Sequence, residues 1–204
     1  MREFIDKVLL SLAVLGITFG LIFSAIYAWG EESHTCESRV HTAIQKLQPW
    51  YYSSNDPVVV SRRSEQLTDL TNAICDASRE TNIDPILAVA IAFRESSLHP
   101  AVGGGAKNGL RGERGYFQVM PGGPAERFSP GGCSQHEPDC NAKTALRFMS
   151  FLEDQCGLDT WKWVGAYGRG VGCPTKEEAR EWREVKIARN ILCKIGDCDS
   201  IWPE

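Results

Sequence analysis

Asp84-Pro85-Ile86-Leu87-Ala88-Val89-Ala90-Ile91-Ala92-Phe93-Arg94-Glu95-Ser96-Ser97-Leu98-His99-Pro100 is the stretch on which the reading of this chain turns. Asp84 can accept hydrogen bonds from the orphan amides of a first helical turn, and Pro85 fits the first helical position, where no N–H is needed. Every residue from Ile86 to Phe93 is apolar. A helix apolar on all sides belongs at the centre of a fold. It runs into Arg94-Glu95-Ser96-Ser97 and is expected to stop before Pro100. Glu95 therefore stands at the edge of a core, beside the negative end of a helix dipole, and both effects favour the protonated carboxyl. A carboxyl held protonated near neutral pH can act as a general acid. The competing expectations are an ion pair with Arg94 and simple exposure on the last turn.

Outward from this helix the pattern stays helical. Ser64 to Glu80 places Leu67, Leu70, Ile74 and Ala77 on one face. Ser33 to Leu47 is more weakly periodic, and Gln48 to Arg63, with Pro49, Pro57 and a Ser-Ser-Asn-Asp cluster, reads as a connector. Residues 103–132 hold 10 of the 19 glycines, which predicts a long irregular segment with a small β-hairpin around Gly115 to Met120. Helical patterns return at Asn141 to Gln155, with Gly157 as a stop, and at Leu158 to Tyr167. The last helix opens on the capping box Thr175-x-x-Glu178 and runs to Lys194, with Gly196 beyond it. Trp161 and Trp163 are expected in the core. The fold class is mainly α.

Val8 to Gly30 carries no charge, in a chain whose 22 basic and 26 acidic residues give a net charge of −4. That balance offers no footprint for nucleic acid. As a helix the run would be about 34 Å long, enough to cross a hydrocarbon core of about 30 Å. Tyr27 and Trp29 at its far end suit a headgroup layer, and Arg2 and Lys7 before it favour a cytoplasmic N-terminus. One N-terminal transmembrane helix is the expectation, with a cleaved signal peptide as the alternative. Either delivers the rest of the chain outside the cytoplasm. The expected layout is 1–30 anchor or signal segment, 31–63 helix and connector, and 64–204 functional domain.

All eight cysteines follow that run: Cys36, Cys75, Cys133, Cys140, Cys156, Cys173, Cys193 and Cys198. An even count in an exported domain reads as a disulfide framework. Spacing suggests Cys133–Cys140 and Cys193–Cys198 as short loops, the other four pairing across helices. A zinc site using His136 with Cys133 and Cys140 is the alternative, although no CxxC pair exists. His99 and His136 lack a ligand pattern, and Gly103 to Lys107 lacks the Lys-Ser/Thr of a phosphate loop. No metal site is expected.

Three blocks then carry a resemblance: Glu95-Ser96-Ser97-Leu98-His99-Pro100, Gly115-Tyr116-Phe117-Gln118-Val119-Met120-Pro121, and Ala166-Tyr167-Gly168-Arg169-Gly170. In this order they resemble the soluble-lytic-transglycosylase-like family, which shares a lysozyme-like fold with goose-type lysozymes. The resemblance spans roughly Leu67 to Gly172. It implies Glu95 as the single catalytic acid/base, Ser96 as its hydrogen-bonding support, and Gly115, Phe117, Gln118 and Tyr167 as substrate-binding or cleft residues. Two positions depart from the family pattern. Phe117 replaces the usual Met, and Gly168 replaces the usual Asn, removing a side-chain amide. The spacer between Pro100 and Gly115 is also longer and richer in glycine.

Glycosidic cleavage needs a proton on the leaving oxygen and stabilisation of an oxocarbenium-like transition state. The resemblance implies a lytic transglycosylase, in which an internal hydroxyl of N-acetylmuramic acid attacks and one carboxyl serves as acid and then base. The product is a 1,6-anhydromuramyl end, with no cofactor. The implied partners are peptidoglycan glycan strands and, through residues 8–30, the cytoplasmic membrane. Wall growth, an envelope-spanning machine and phage infection all call for such an activity. Glu113 in the long spacer would support a lysozyme-type hydrolase instead, and the Gly168 and Phe117 departures would suit a non-catalytic wall-binding protein. Arg94, Arg111 and Arg114 offer charge to acidic peptide stems.

Overall fold

The computed structural model describes residues 35–49, 54–103, 107–169 and 172–198. The chain divides into two compact units, Met1–Arg39 and Val40–Glu204. Of the first unit only 35–39 are described, so the charge-free run at residues 8–30 lies outside the described residues. Among the described residues no helix is long and apolar enough to cross a membrane.

The elements are helical throughout: α1 (Cys36–Leu47), α2 (Pro57–Thr81), α3 (Pro85–Ser96), the short α4 (Pro100–Gly103), a 3₁₀ turn (Pro124–Phe128), α5 (Pro138–Cys156), α6 (Thr160–Arg169), α7 (Lys176–Glu181) and α8 (Arg183–Ile195). In place of the expected hairpin there is one isolated bridge, Arg114 with Val119, and no strand among the described residues. The bridge satisfies both backbone pairs, Arg114 N–H to Val119 O at 3.0 Å and the reverse at 2.9 Å. The chain then turns away, so the pairing does not extend.

Helix α3 is the axis of the fold. The Asp84 carboxylate accepts from the amides of Ile86 (2.7 Å) and Leu87 (3.2 Å), and every residue from Ile86 to Ala92 is buried. Its apolar circumference needs partners on several sides, and α2 and α8 supply two of them. Helix α2 in turn packs along α5, which packs on α6 and on the 3₁₀ turn. Trp163 is 2% exposed and Trp161 8%, in the core as expected.

Four boundaries differ from the sequence reading. Pro57 does not belong to a connector: Asp56 accepts from the Val58 amide at 2.9 Å and Pro57 opens α2, seven residues before the expected start. Pro138 opens α5 in the same way, ahead of Asn141. Pro100 opens α4 rather than stopping α3, which has already ended at Ser96. There Ser97 and Leu98 take left-handed backbone angles (φ 52° and 50°), and Leu98 turns into the core. The final helix is broken at Trp182, whose backbone is extended between α7 and α8, with Arg169 lying 4.3 Å over its ring. The capping box at Thr175 and Glu178 forms with both of its hydrogen bonds.

The cysteines form a disulfide framework. Cys133–Cys140 and Cys193–Cys198 pair as the spacing suggested, and Cys156–Cys173 joins the end of α5 to the segment after α6. Cys36 and Cys75 are also disulfide-bonded, and no described cysteine is free. The bond between Cys133 and Cys140 removes the zinc alternative, because neither thiolate remains to ligate a metal.

Candidate active site

The last turn of α3 opens on a cleft of about 550 Å³. Glu95 lines it together with Phe117, Gln118 and Tyr167, which the sequence had separated by up to 72 residues. The long spacer contributes Leu110, Arg111 and Glu113 to the rim, and α5 contributes Phe148.

Glu95 is not a lone carboxyl in an apolar pocket. Its side chain is 24% exposed and ion-paired with Arg94, whose side chain is 6% exposed. Arg94 Nε donates to Glu95 Oε1 at 3.1 Å, and Arg94 Nη2 donates to the same oxygen. Oε2 has no hydrogen-bond partner among the described residues. The pairing that competed with the isolated-acid expectation is therefore present, and Arg94 is turned inward rather than toward peptide stems. Its geometry holds one carboxylate oxygen and leaves the other open.

Ser96 does not support Glu95 by a hydrogen bond. Its hydroxyl donates to Ala92 O (2.9 Å) and accepts from the Leu98 amide (3.1 Å). The residue lies off the cleft and fixes the exit of α3, a short-range backbone competition typical of serine at a helix end. Phe117 is 1% exposed, so it floors the cleft and leaves no free ring face for stacking.

Tyr167, on α6, donates its phenolic hydrogen to Phe117 O at 3.1 Å, and its ring rests 5.8 Å from that of Phe148. Burial first, and then the negative charge of Glu95, push its pKa well above the ordinary 10.0, against a smaller opposite pull from Arg94. The phenol is thus a fixed neutral donor. Gln118 is held in a left-handed conformation (φ 50°) with its Nε2 bonded to Gly115 O at 2.8 Å, so its amide folds back over the turn.

Gly115 stands behind the cleft wall. Its φ is +72°, and a Cβ there would lie 2.3 Å from Cγ of Asn141. No side chain fits. Asn141 takes that space and clamps the loop: Oδ1 accepts from the Phe117 amide at 2.8 Å and Nδ2 donates to Arg114 O at 3.0 Å. Asn141 is 1% exposed, and Gln135 (5%) and Thr144 (0%) complete a buried polar network, with Gln135 Nε2 donating to Thr144 Oγ1 at 2.8 Å. Sequence reasoning missed this clamp. Its signal was weak: an asparagine near the start of a helix usually reads as a cap or a solvated position.

Glu113 is the second carboxylate on the cleft. Its Oε2 accepts from the Arg111 amide at 2.8 Å, so half of the group closes its own loop. Among the described residues no group of His, Cys, Asp and Glu is arranged to hold a metal ion. Gly104, Gly105 and Gly170 of the sequence motifs lie outside the described residues.

Residues 72–189, more than half of the chain, match the family profile described as Transglycosylase SLT domain. No curated protein and no solved structure matches the chain.

Proposed function

The chain belongs to the transglycosylase SLT domain family, and from that premise we propose that it is a peptidoglycan lytic transglycosylase with Glu95 as its single acid/base. The family supports cleavage of glycosidic bonds in peptidoglycan. The observation that carries the finer reading is Glu95 itself, a cleft-lining carboxylate at the end of a buried helix, with Oε1 held by Arg94 and Oε2 without a hydrogen-bond partner among the described residues.

The chemistry balances with one carboxyl. Oε2 of protonated Glu95 delivers its proton to the oxygen joining N-acetylmuramic acid to the next sugar, and the C1–O bond breaks. The carboxylate then takes the proton of the C6 hydroxyl as that oxygen bonds to C1. The product is a 1,6-anhydromuramyl end, and no water is consumed. Gln118 and the Phe117 floor shape the sugar site in this reading, and Tyr167 fixes the floor through the Phe117 carbonyl.

The retained anchor belongs to the same proposal. Its support is the charge-free run at residues 8–30 and the disulfides, which persist in oxidising compartments. It places the chain on the cytoplasmic membrane with its catalytic domain outside. A second reading, lysozyme-type hydrolysis, draws on Glu113 at the cleft rim.

The test is incubation of the full-length protein and of Glu95→Gln with purified sacculi, followed by product analysis. Anhydro ends from the wild type and a loss of about 10²–10⁴-fold in the variant are expected. Reducing ends would favour the hydrolase, binding without products a scaffold, and normal turnover by the variant would remove Glu95 from its role.

A further inference from the structure

We propose that Arg94 is a positioning residue for Glu95, and that glycine at position 168 is what admits it to the site. This rests on the reading of Glu95 as the acid/base. Three observations converge on the pair.

Arg94 is almost wholly buried, yet among the described residues its guanidinium bonds only one oxygen of one neighbour. Among the described residues its buried Nη1 has no hydrogen-bond partner. An unsatisfied donor on a buried charge is destabilising, so stability alone is a poor reason for this arrangement. A forked guanidinium, however, can grip a carboxylate oxygen through two nitrogens and fix its rotamer. The grip falls on Oε1 and leaves Oε2 for the proton.

The third observation is the glycine. A Cβ built on Gly168 would lie 3.3 Å from both Nη1 and Nη2 of Arg94 and 3.5 Å from Cζ. The guanidinium therefore lies across the face of Gly168, in the volume that a larger side chain would need. Any side chain at 168, asparagine included, would crowd the guanidinium and make it give way by a few tenths of an ångström. Arg94 and Gly168 thus act as one unit: the guanidinium reaching in from α3 lies against the bare backbone of α6.

The reading is tested by a double-mutant cycle in the full-length protein, with kcat and KM measured on soluble glycan strands and folding checked by circular dichroism and thermal melting. Arg94→Ala is expected to lower kcat by about 10²-fold, the scale for a misplaced catalytic group, with KM little changed because Arg94 does not line the cleft. Arg94→Lys is expected to fail similarly, since an ammonium cannot form the two-nitrogen hold. Gly168→Asn alone is expected to lose activity by evicting the guanidinium. The double variant Arg94→Ala/Gly168→Asn is expected to be about as active as Arg94→Ala alone, because the asparagine then has no guanidinium to displace, a coupling that additivity forbids. A folded double variant that loses the product of the two single effects would overturn the proposal, as would wild-type kcat in Arg94→Ala. Glu95→Gln, run beside them, separates the failures: if it is inactive while Arg94→Ala is normal, only the positioning role falls. If it is active, the acid/base reading falls and this one with it.

Discussion

Tyr167 illustrates what a single residue contributes at this site. Burial and the Glu95 charge raise the phenol's pKa above 10.0, so the fold holds a proton that the unfolded chain releases above that pH. The stabilisation is fully present below about pH 10 and is lost as pH rises toward the folded value, with a slope of up to about 1.4 kcal/mol per unit. Tyr167→Phe removes both this term and the bond to Phe117 O, the latter contributing about 1 kcal/mol. The expected outcome is lower stability at neutral pH and a shallower alkaline decline than wild type, read from denaturant midpoints between pH 8 and 11. Glu95 stood out in the sequence as an acid just beyond eight apolar residues, at the edge of a core, and the structure places it on the cleft. The pair of Arg94 with Glu95 was among the expectations, but its burial was not legible, and neither was Asn141. An arginine beside a glutamate reads as a surface pair, and nothing in the local pattern shows that Gly115 vacates the space Asn141 fills.

At the scale of elements, the helix starts rest on caps. Asp84 satisfies two orphan amides at the head of the buried α3. Asp84→Ala is expected to destabilise the protein by about 1 kcal/mol, seen as a lowered Tm with the cleft chemistry unchanged, since the cap lies at the far end of the helix from Glu95. Proline was the element signal most often misread. Pro57, Pro100 and Pro138 each open a helix here, because a residue without an N–H is tolerated in a first turn and forbidden only in the interior. Sequence alone does not say which side of a proline the helix lies on unless the preceding residue is an unmistakable cap, as at Asp84. The break at Trp182 was hidden for a different reason. A continuous charged pattern does not reveal that an indole is held against Arg169 from another helix.

For the whole molecule, the disulfides carry weight that a core of this size shares with them. Cys156 and Cys173, 17 residues apart, close the loop that contains α6 and therefore Tyr167 and Gly168. In the loop-entropy view a closure of this length contributes about 3 kcal/mol. Replacing both cysteines by serine is expected to lower the denaturation free energy by about that amount, measured by equilibrium unfolding, and to impair turnover before it abolishes folding. Unchanged stability would mean that packing alone holds α6. The sequence by itself determined the helical class, the buried axis at α3, the family and the acid at its end, because apolar periodicity, caps and motif spacing are local properties of the chain. Only the tertiary structure decided how that acid is held: the Arg94 guanidinium reaches Glu95 while lying against the bare backbone of Gly168 on another helix, and no local pattern encodes an absence of side chain as room for a distant one.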